Sequence, residues 1–86
     1  MKLIIVIVND NDSEILTQAF TAANFRVTRV ASTGGFLRRG VATLLLGIED
    51  AQVDAVIQTV RSALPSKGDA KRATLFVLPI DHYEQV

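Results

Sequence analysis

Two kinds of hydrophobic pattern alternate along this chain and predict six elements of secondary structure. Continuous apolar runs with many β-branched residues indicate buried strands, and alternation of the kind seen at residues 25–30 also indicates a strand. Apolar residues spaced three and four apart indicate one face of a helix. The predicted order is strand, helix, strand, strand, helix, strand. The predicted strands are residues 3–8, 25–30, 41–48 and 73–79.

The first predicted helix follows a cluster of acidic and amide residues at positions 9–14. These residue types cap helix N-termini, and their negative charge suits that end of the helix. This capping is preferred to a calcium loop, because the glycine and the distal glutamate of an EF-hand are missing. The expected buried face comprises Leu16, Ala19, Phe20 and Ala23, and Asn24 is a plausible end.

The second predicted helix begins at Glu49 and Asp50. Its expected inner face comprises Val53, Val56, Ile57, Val60 and Leu64. The βαββαβ order predicts one α+β domain spanning residues 1–86, with a ferredoxin-like fold. In this fold a four-stranded antiparallel sheet carries both helices on one face.

The strands carry more apolar residues than a half-covered sheet requires. An antiparallel sheet with one wet face normally alternates apolar and polar positions. Residues 3–8, 44–46 and 75–78 are apolar on both sides. Because monomers rarely expose a large apolar patch, we expect a homo-oligomer with the second face inside.

Composition removes several classes of function. Nine basic and nine acidic residues cancel, so no overall field attracts nucleic acid or a membrane surface. The chain has no cysteine and one histidine, which disfavours thiol nucleophiles, a Ser-His-Asp triad and a metal site. The first apolar run is too short to cross a bilayer and lacks a signal-peptide cleavage pattern. We therefore expect a cytoplasmic protein that is not an enzyme, without membrane insertion.

Residues 31–40 are the strongest candidate for ligand binding. The sequence Ala-Ser-Thr-Gly-Gly-Phe-Leu-Arg-Arg-Gly combines glycines, hydroxyls and arginines between two strands. Glycines allow close approach to the backbone, free N–H groups form anion-binding nests, and arginine binds phosphate. The segment therefore suggests a phosphate-bearing ligand, although a simple connection between strands is the alternative. The basic residues Lys67, Lys71 and Arg72, and the tail with His82 and Tyr83, are interpreted as solvated.

Several segments together resemble a known family. They are Met1–Val8 with Asp10, Asp12 and Ser13, then Asn-Phe-Arg-Val-Thr at 24–28, Ser-Thr-Gly-Gly-Phe-Leu at 32–37, and Ala-Thr-Leu-Phe-Val-Leu-Pro at 73–79. On these residues the chain resembles the PII-like cyclic di-AMP receptors of bacteria. The resemblance implies a homotrimer whose sheets face the centre, with the ligand held between neighbouring subunits.

The resemblance also implies a set of ligand-binding residues. The positions that match are Arg26, Thr28, Gly35, Phe36, Leu37, Gly47 and Phe76. It implies no catalytic residue, no metal and no cofactor besides the nucleotide ligand.

Two departures from the family pattern concern the ligand. Val41 and Ala42 stand where the family has Asn-Thr, and the asparagine is expected to hydrogen-bond adenine. The long loop before the last strand is reduced to residues 66–72.

The leading hypothesis is a signal-transduction protein that binds cyclic di-AMP and acts on an unidentified downstream protein. The alternatives are a trimeric scaffold without nucleotide, or a receptor for another nucleotide such as ATP or cyclic di-GMP.

Overall fold

The computed structural model describes residues 1–30, 40–65 and 71–86. The elements are β1 (Lys2–Asn9), α1 (Asp10–Ala22), β2 (Thr28–Val30), β3 (Val41–Ile48), a 3-10 turn (Asp50–Gln52), α2 (Val53–Ala63) and β4 (Ala73–Pro79). The strands form one antiparallel sheet in the order β2-β3-β1-β4. This is the predicted ferredoxin-like α+β fold, with β1 and β3 central.

Strand β2 is shorter than predicted. Only Thr28, Arg29 and Val30 pair with β3, because residue 25 is still tied to the end of α1. The N–H of Phe25 donates to the carbonyl of Phe20 at 2.8 Å, and the two rings meet edge to face with centroids 6.5 Å apart. Phe25 therefore packs against the core from a loop rather than from a strand.

Helix α1 ends at Ala22, one residue before Ala23, the last residue of its predicted apolar face. Leu16 and Phe20 are fully buried as predicted, but Ala23 is exposed, so its place on the inner face was wrong. The helix ends at Ala22, and the chain reverses at Asn24, whose φ is 66°. Asparagine tolerates this left-handed conformation better than most residues, which confirms Asn24 as the stop.

The acidic start of α1 lies at the helix N-terminus as predicted, and it also makes a tertiary contact. Asn9 occupies the N-cap position and Asp10 and Asp12 lie in the first turn, although Asn9 makes no side-chain capping hydrogen bond. Asp12 is nearly buried and accepts a hydrogen bond from Nη2 of Arg72 at 2.9 Å. Nη1 of the same arginine donates to the carbonyl of Pro65 at 3.3 Å. Arg72 is therefore a link between α1, the end of α2 and β4, which corrects its interpretation as a solvated loop residue.

The two helices cover one face of the sheet and form the core there. Its buried residues alternate along the central strands and recur along both helices. They are Ile4, Val6, Val8, Leu16, Phe20, Ala42, Leu44, Leu46, Ile48, Val56, Val60 and Leu64. Val53 and Ile57, predicted for the inner face of α2, are partly buried.

The other face, which we call the open face, carries the intervening strand residues. Ile5 lies directly between Leu45 on β3 and Phe76 on β4. Its central-strand residues are partly exposed, and Phe76 is 49% exposed. The predicted second apolar face is confirmed, and the described part of the chain leaves its centre uncovered.

Candidate functional site

A cavity of about 300 Å³ lies on the open face, at the end of the sheet where β1 begins and β3 ends. It brings together Arg26, Thr28 and Gly47, three of the residues predicted to contact a ligand. The complete lining is Met1, Leu3, Arg26, Thr28, Leu45, Gly47, Ile80 and Tyr83. The cavity thus combines an apolar floor with one arginine, two hydroxyl-bearing side chains and one glycine.

Strand register explains why these residues meet. Leu3 pairs with Gly47, and Thr28 pairs with Leu45. Residues that are directly opposite in an antiparallel sheet project from the same face. All four residues therefore face the open side of the sheet, and the two pairs are neighbours there.

Arg26 is placed to bind an anion. Its side chain is exposed, and no carboxylate within the described ranges lies at ion-pair distance from it. Arg29, three residues later, has Nη2 at 3.6 Å from a carboxylate oxygen of Asp10. Guanidinium groups match the planar geometry of phosphate oxygens. Arg26, just before β2, rather than Arg29 within it, is therefore the cation placed to meet a phosphate on the open face.

The glycines at positions 40 and 47 serve different purposes. Gly40 has a φ of +81°, which disfavours any other residue, and its carbonyl accepts the N–H of Asp10 at 2.9 Å. A Cβ added at Gly47 meets no atom of the described chain within 4 Å, and its φ is not left-handed. Nothing in the described fold requires glycine at position 47, whereas a flat ligand lying on the strand gains from it.

Tyr83 and Ile80 are cavity residues that sequence reasoning missed. The N–H of Ile80 donates to the carbonyl of Met1 at 3.1 Å, which keeps the tail beside the start of β1. Tyr83 then lines the cavity together with Thr28 of the opposite edge strand and Arg26, which lies just before that strand. The path of the tail depends on this tertiary contact, so the only sequence signal was an aromatic residue shortly after the last strand.

The remaining predicted residues lie elsewhere. Phe76 is on the open face opposite Ile5, but it does not line this cavity. Gly35, Phe36 and Leu37 lie outside the described residues.

Val41 is far from the cavity within one chain. It lies at the other end of β3, six residues from Gly47, and lines a second cavity with Lys71 and Arg72. At the rise of a strand, the two positions are about 20 Å apart. One small ligand therefore does not touch both positions of the same chain.

The profile of the cyclic-di-AMP receptor family matches residues 1–70. The chain belongs to the cyclic-di-AMP receptor family. Membership supports a role in binding cyclic di-AMP, and binding rather than catalysis. The matched region includes Arg26, Thr28 and Gly47, whereas β4 and the tail lie beyond it.

A solved structure supports the same fold assignment. A functionally unknown protein from Pediococcus pentosaceus is 34% identical, and the alignment covers 99% of this chain and 96% of that one, with a TM-score of 0.81. Within the described ranges, no helix of this receptor-family chain is both long and apolar enough to cross a membrane.

Proposed function

We propose that this chain is a non-enzymatic, PII-like signalling protein that binds cyclic di-AMP between the subunits of a cytoplasmic homotrimer. Its ligand-bound state would be passed to a downstream protein. The observation that carries the proposal is the open-face cavity, in which Arg26 lies beside Gly47 without a carboxylate partner in the described chain. Family membership supplies the class of ligand.

The chemistry of the cavity suits a nucleotide. Arg26 offers charged donors to a phosphate, and the hydroxyl of Thr28 can donate to a phosphate or a base edge. Leu3 and Leu45 form an apolar floor for the face of a base, and Gly47 lets that base approach the strand. We expect Gly35, Phe36 and Leu37 to complete the phosphate contacts.

Two observations favour a site shared between subunits. The cavity of one chain, about 300 Å³, is at the lower limit for a small-molecule site. The family's ligand positions also include residues 41 and 47, which one chain holds about 20 Å apart. A neighbouring subunit would close the cavity, supply the distant contacts and cover the open face.

Calorimetric titration with cyclic di-AMP, cyclic di-GMP and ATP tests the proposal. We expect cyclic di-AMP to bind, and Arg26→Ala to weaken its affinity about ten- to a hundred-fold, as expected for the loss of hydrogen bonds to a charged group. Arg61→Ala is the matched control, because Arg61 is an exposed arginine on the helix-covered side. Equal affinities of wild type and Arg26→Ala would place the ligand elsewhere.

The second candidate is a trimeric scaffold that has lost the nucleotide, and Val41 is the observation that favours it. Val41 has an apolar side chain at the position where the family has an asparagine that is expected to hydrogen-bond adenine. A stable trimer that binds none of the three nucleotides would favour the scaffold, and preferred binding of ATP or cyclic di-GMP would reassign the ligand. If cyclic di-AMP does bind, Val41→Asn should tighten it, since the variant regains a base-reading hydrogen bond.

A further inference from the structure

We propose that Tyr83 forms a wall of the nucleotide site and stacks against a base of the ligand. This inference rests on the proposed function, because it takes the open-face cavity as the site of cyclic di-AMP. It adds a contact from the C-terminal tail, which lies outside the part of the chain that matches the family profile.

The position of Tyr83 carries the inference. The sheet contributes the floor of the cavity through Leu3, Leu45 and Gly47, whereas the tail after Pro79 contributes Ile80 and Tyr83 from outside the strands. The hydrogen bond from Ile80 to Met1 anchors the start of this tail. Tyr83 thus stands beside a floor on which a flat group can lie.

The exposure of Tyr83 points to contact with something other than the core. The residue is 62% exposed although it borders a cavity with apolar walls. Its ring takes no part in the hydrophobic core, and no aromatic pair among the described residues includes it. A tyrosine ring presents an apolar face to a base and a hydroxyl to its polar edge. Aromatic stacking is favourable for every base, so Tyr83 would add affinity while Arg26 orients the phosphates.

The composition of the chain allows a direct test without mutation. Tyr83 is the only tyrosine, and there is no tryptophan, so intrinsic tyrosine fluorescence reports on this residue alone. We expect cyclic di-AMP to change the emission with a midpoint that matches the dissociation constant from calorimetry. N-acetyltyrosinamide, titrated in parallel, corrects for light absorbed by the nucleotide.

Variants then measure the contribution of the ring. Tyr83→Ala should weaken cyclic di-AMP binding about ten-fold or more, the size of one lost base stack. Tyr83→Phe should retain most of the affinity, because it keeps the ring. His82→Ala, an exposed neighbour in the same tail, should bind as wild type does. Circular dichroism and sedimentation confirm that each variant keeps its fold and assembly.

The outcomes separate this inference from the proposed function. If wild type binds cyclic di-AMP and Tyr83→Ala binds equally well, the role of Tyr83 is overturned while the receptor function stands. Binding without any change in tyrosine emission has the same consequence. If wild type binds no cyclic di-AMP, the proposed function and the role of Tyr83 both fall.

Discussion

The two faces of the sheet carry the same kinds of side chain but have different surroundings. Leu44 and Leu45 are neighbours on β3, yet Leu44 is fully buried beneath the helices and Leu45 is partly exposed on the open face. Ile4 and Ile5 differ in the same way on β1. Residue type therefore does not separate the faces. What separates them is that the helices cover one face, whereas no described residue outside the sheet covers the centre of the other.

This difference assigns a role to each face. Apolar burial under the helices stabilises the monomer fold, at roughly 25 cal/mol per Å² of surface removed from water. The apolar side chains of the open face can contribute the same free energy per unit area, but only when another surface removes them from water. The candidate ligand cavity lies on that open face, so the proposed assembly and the proposed binding would involve the same side of the molecule.

The largest expected effect is the loss of assembly when a charge enters the open face. We expect wild type to sediment as a trimer and Ile5→Glu to sediment as a folded monomer, because an isolated carboxylate is costly to bury between subunits. Ile15→Glu is the matched control, since Ile15 is an exposed isoleucine on α1. A wild type that remains monomeric, or an Ile5→Glu variant that remains trimeric, would refute the assembly through this face.

The next effect compares the adjacent leucines of β3 in the Ile5→Glu background, where the open face is uncovered. Leu44→Ala should lower the free energy of unfolding by about 2–5 kcal/mol, because it leaves a cavity in the core. Leu45→Ala should cost about 1 kcal/mol, as at a partly exposed position. Urea denaturation measures both values, and equal losses would mean that the two faces are packed alike.

A smaller effect concerns two aspartates in the first turn of α1. Asp12 is 12% exposed in its side chain and pairs with Arg72 at 2.9 Å, whereas Asp10 is 53% exposed and lies 3.6 Å from Arg29. Asp12→Ala should therefore lower the free energy of unfolding by about 1.5–3 kcal/mol, and Asp10→Ala by at most about 1 kcal/mol. Thermal unfolding of the two variants compares them, and a reversed order would contradict this account of the covered side.

The smallest effect is a pH dependence at the edge of the cavity. A hydrogen bond from the amino-terminal ammonium, at 2.9 Å, and the nearby charge of Lys2 hold the pKa of Asp50 below its ordinary value. The stabilisation is therefore present above the unfolded pKa and is lost as pH falls through the lower folded pKa. In the Asp50→Asn variant, this pair should no longer contribute to the decrease of stability at acid pH. Melting temperatures of wild type and variant, measured between pH 5 and pH 2.5, test this. An unchanged profile would mean that the pair contributes nothing.

Most of the fold could be predicted from the local pattern of apolar and polar residues in the sequence. The bounds of β3 and β4 are those predicted, because each strand is a continuous apolar run between turn-forming residues. Strand β2 was predicted too long because the length of a strand depends on how many of its residues pair with the neighbouring strand. Only three residues of β2 pair with β3. The place of Asp12 in the first turn of α1 was predicted, but its tertiary contact was missed because its partner, Arg72, is 60 residues away in the sequence.

Only part of the candidate site could be predicted from the sequence. Arg26, Thr28 and Gly47 came from the family resemblance, and the register of β1, β2 and β3 explains why they meet. Tyr83 was missed because the path of the tail depends on a backbone hydrogen bond to Met1. No local pattern encodes a contact between the two ends of the chain.

The order of strands in the sheet also bears on how the chain folds. β1 precedes β2, β3 and β4 in the sequence, yet it occupies the centre of the sheet and pairs with β4, so that Lys2 stands opposite Pro79. Non-local pairing of this kind slows folding, and an apolar strand with an unpaired edge is prone to aggregate until it is paired. Until β4 pairs with it, one edge of β1 has no native partner. Docking of β4 therefore decides when the central strand is protected from pairing with other chains.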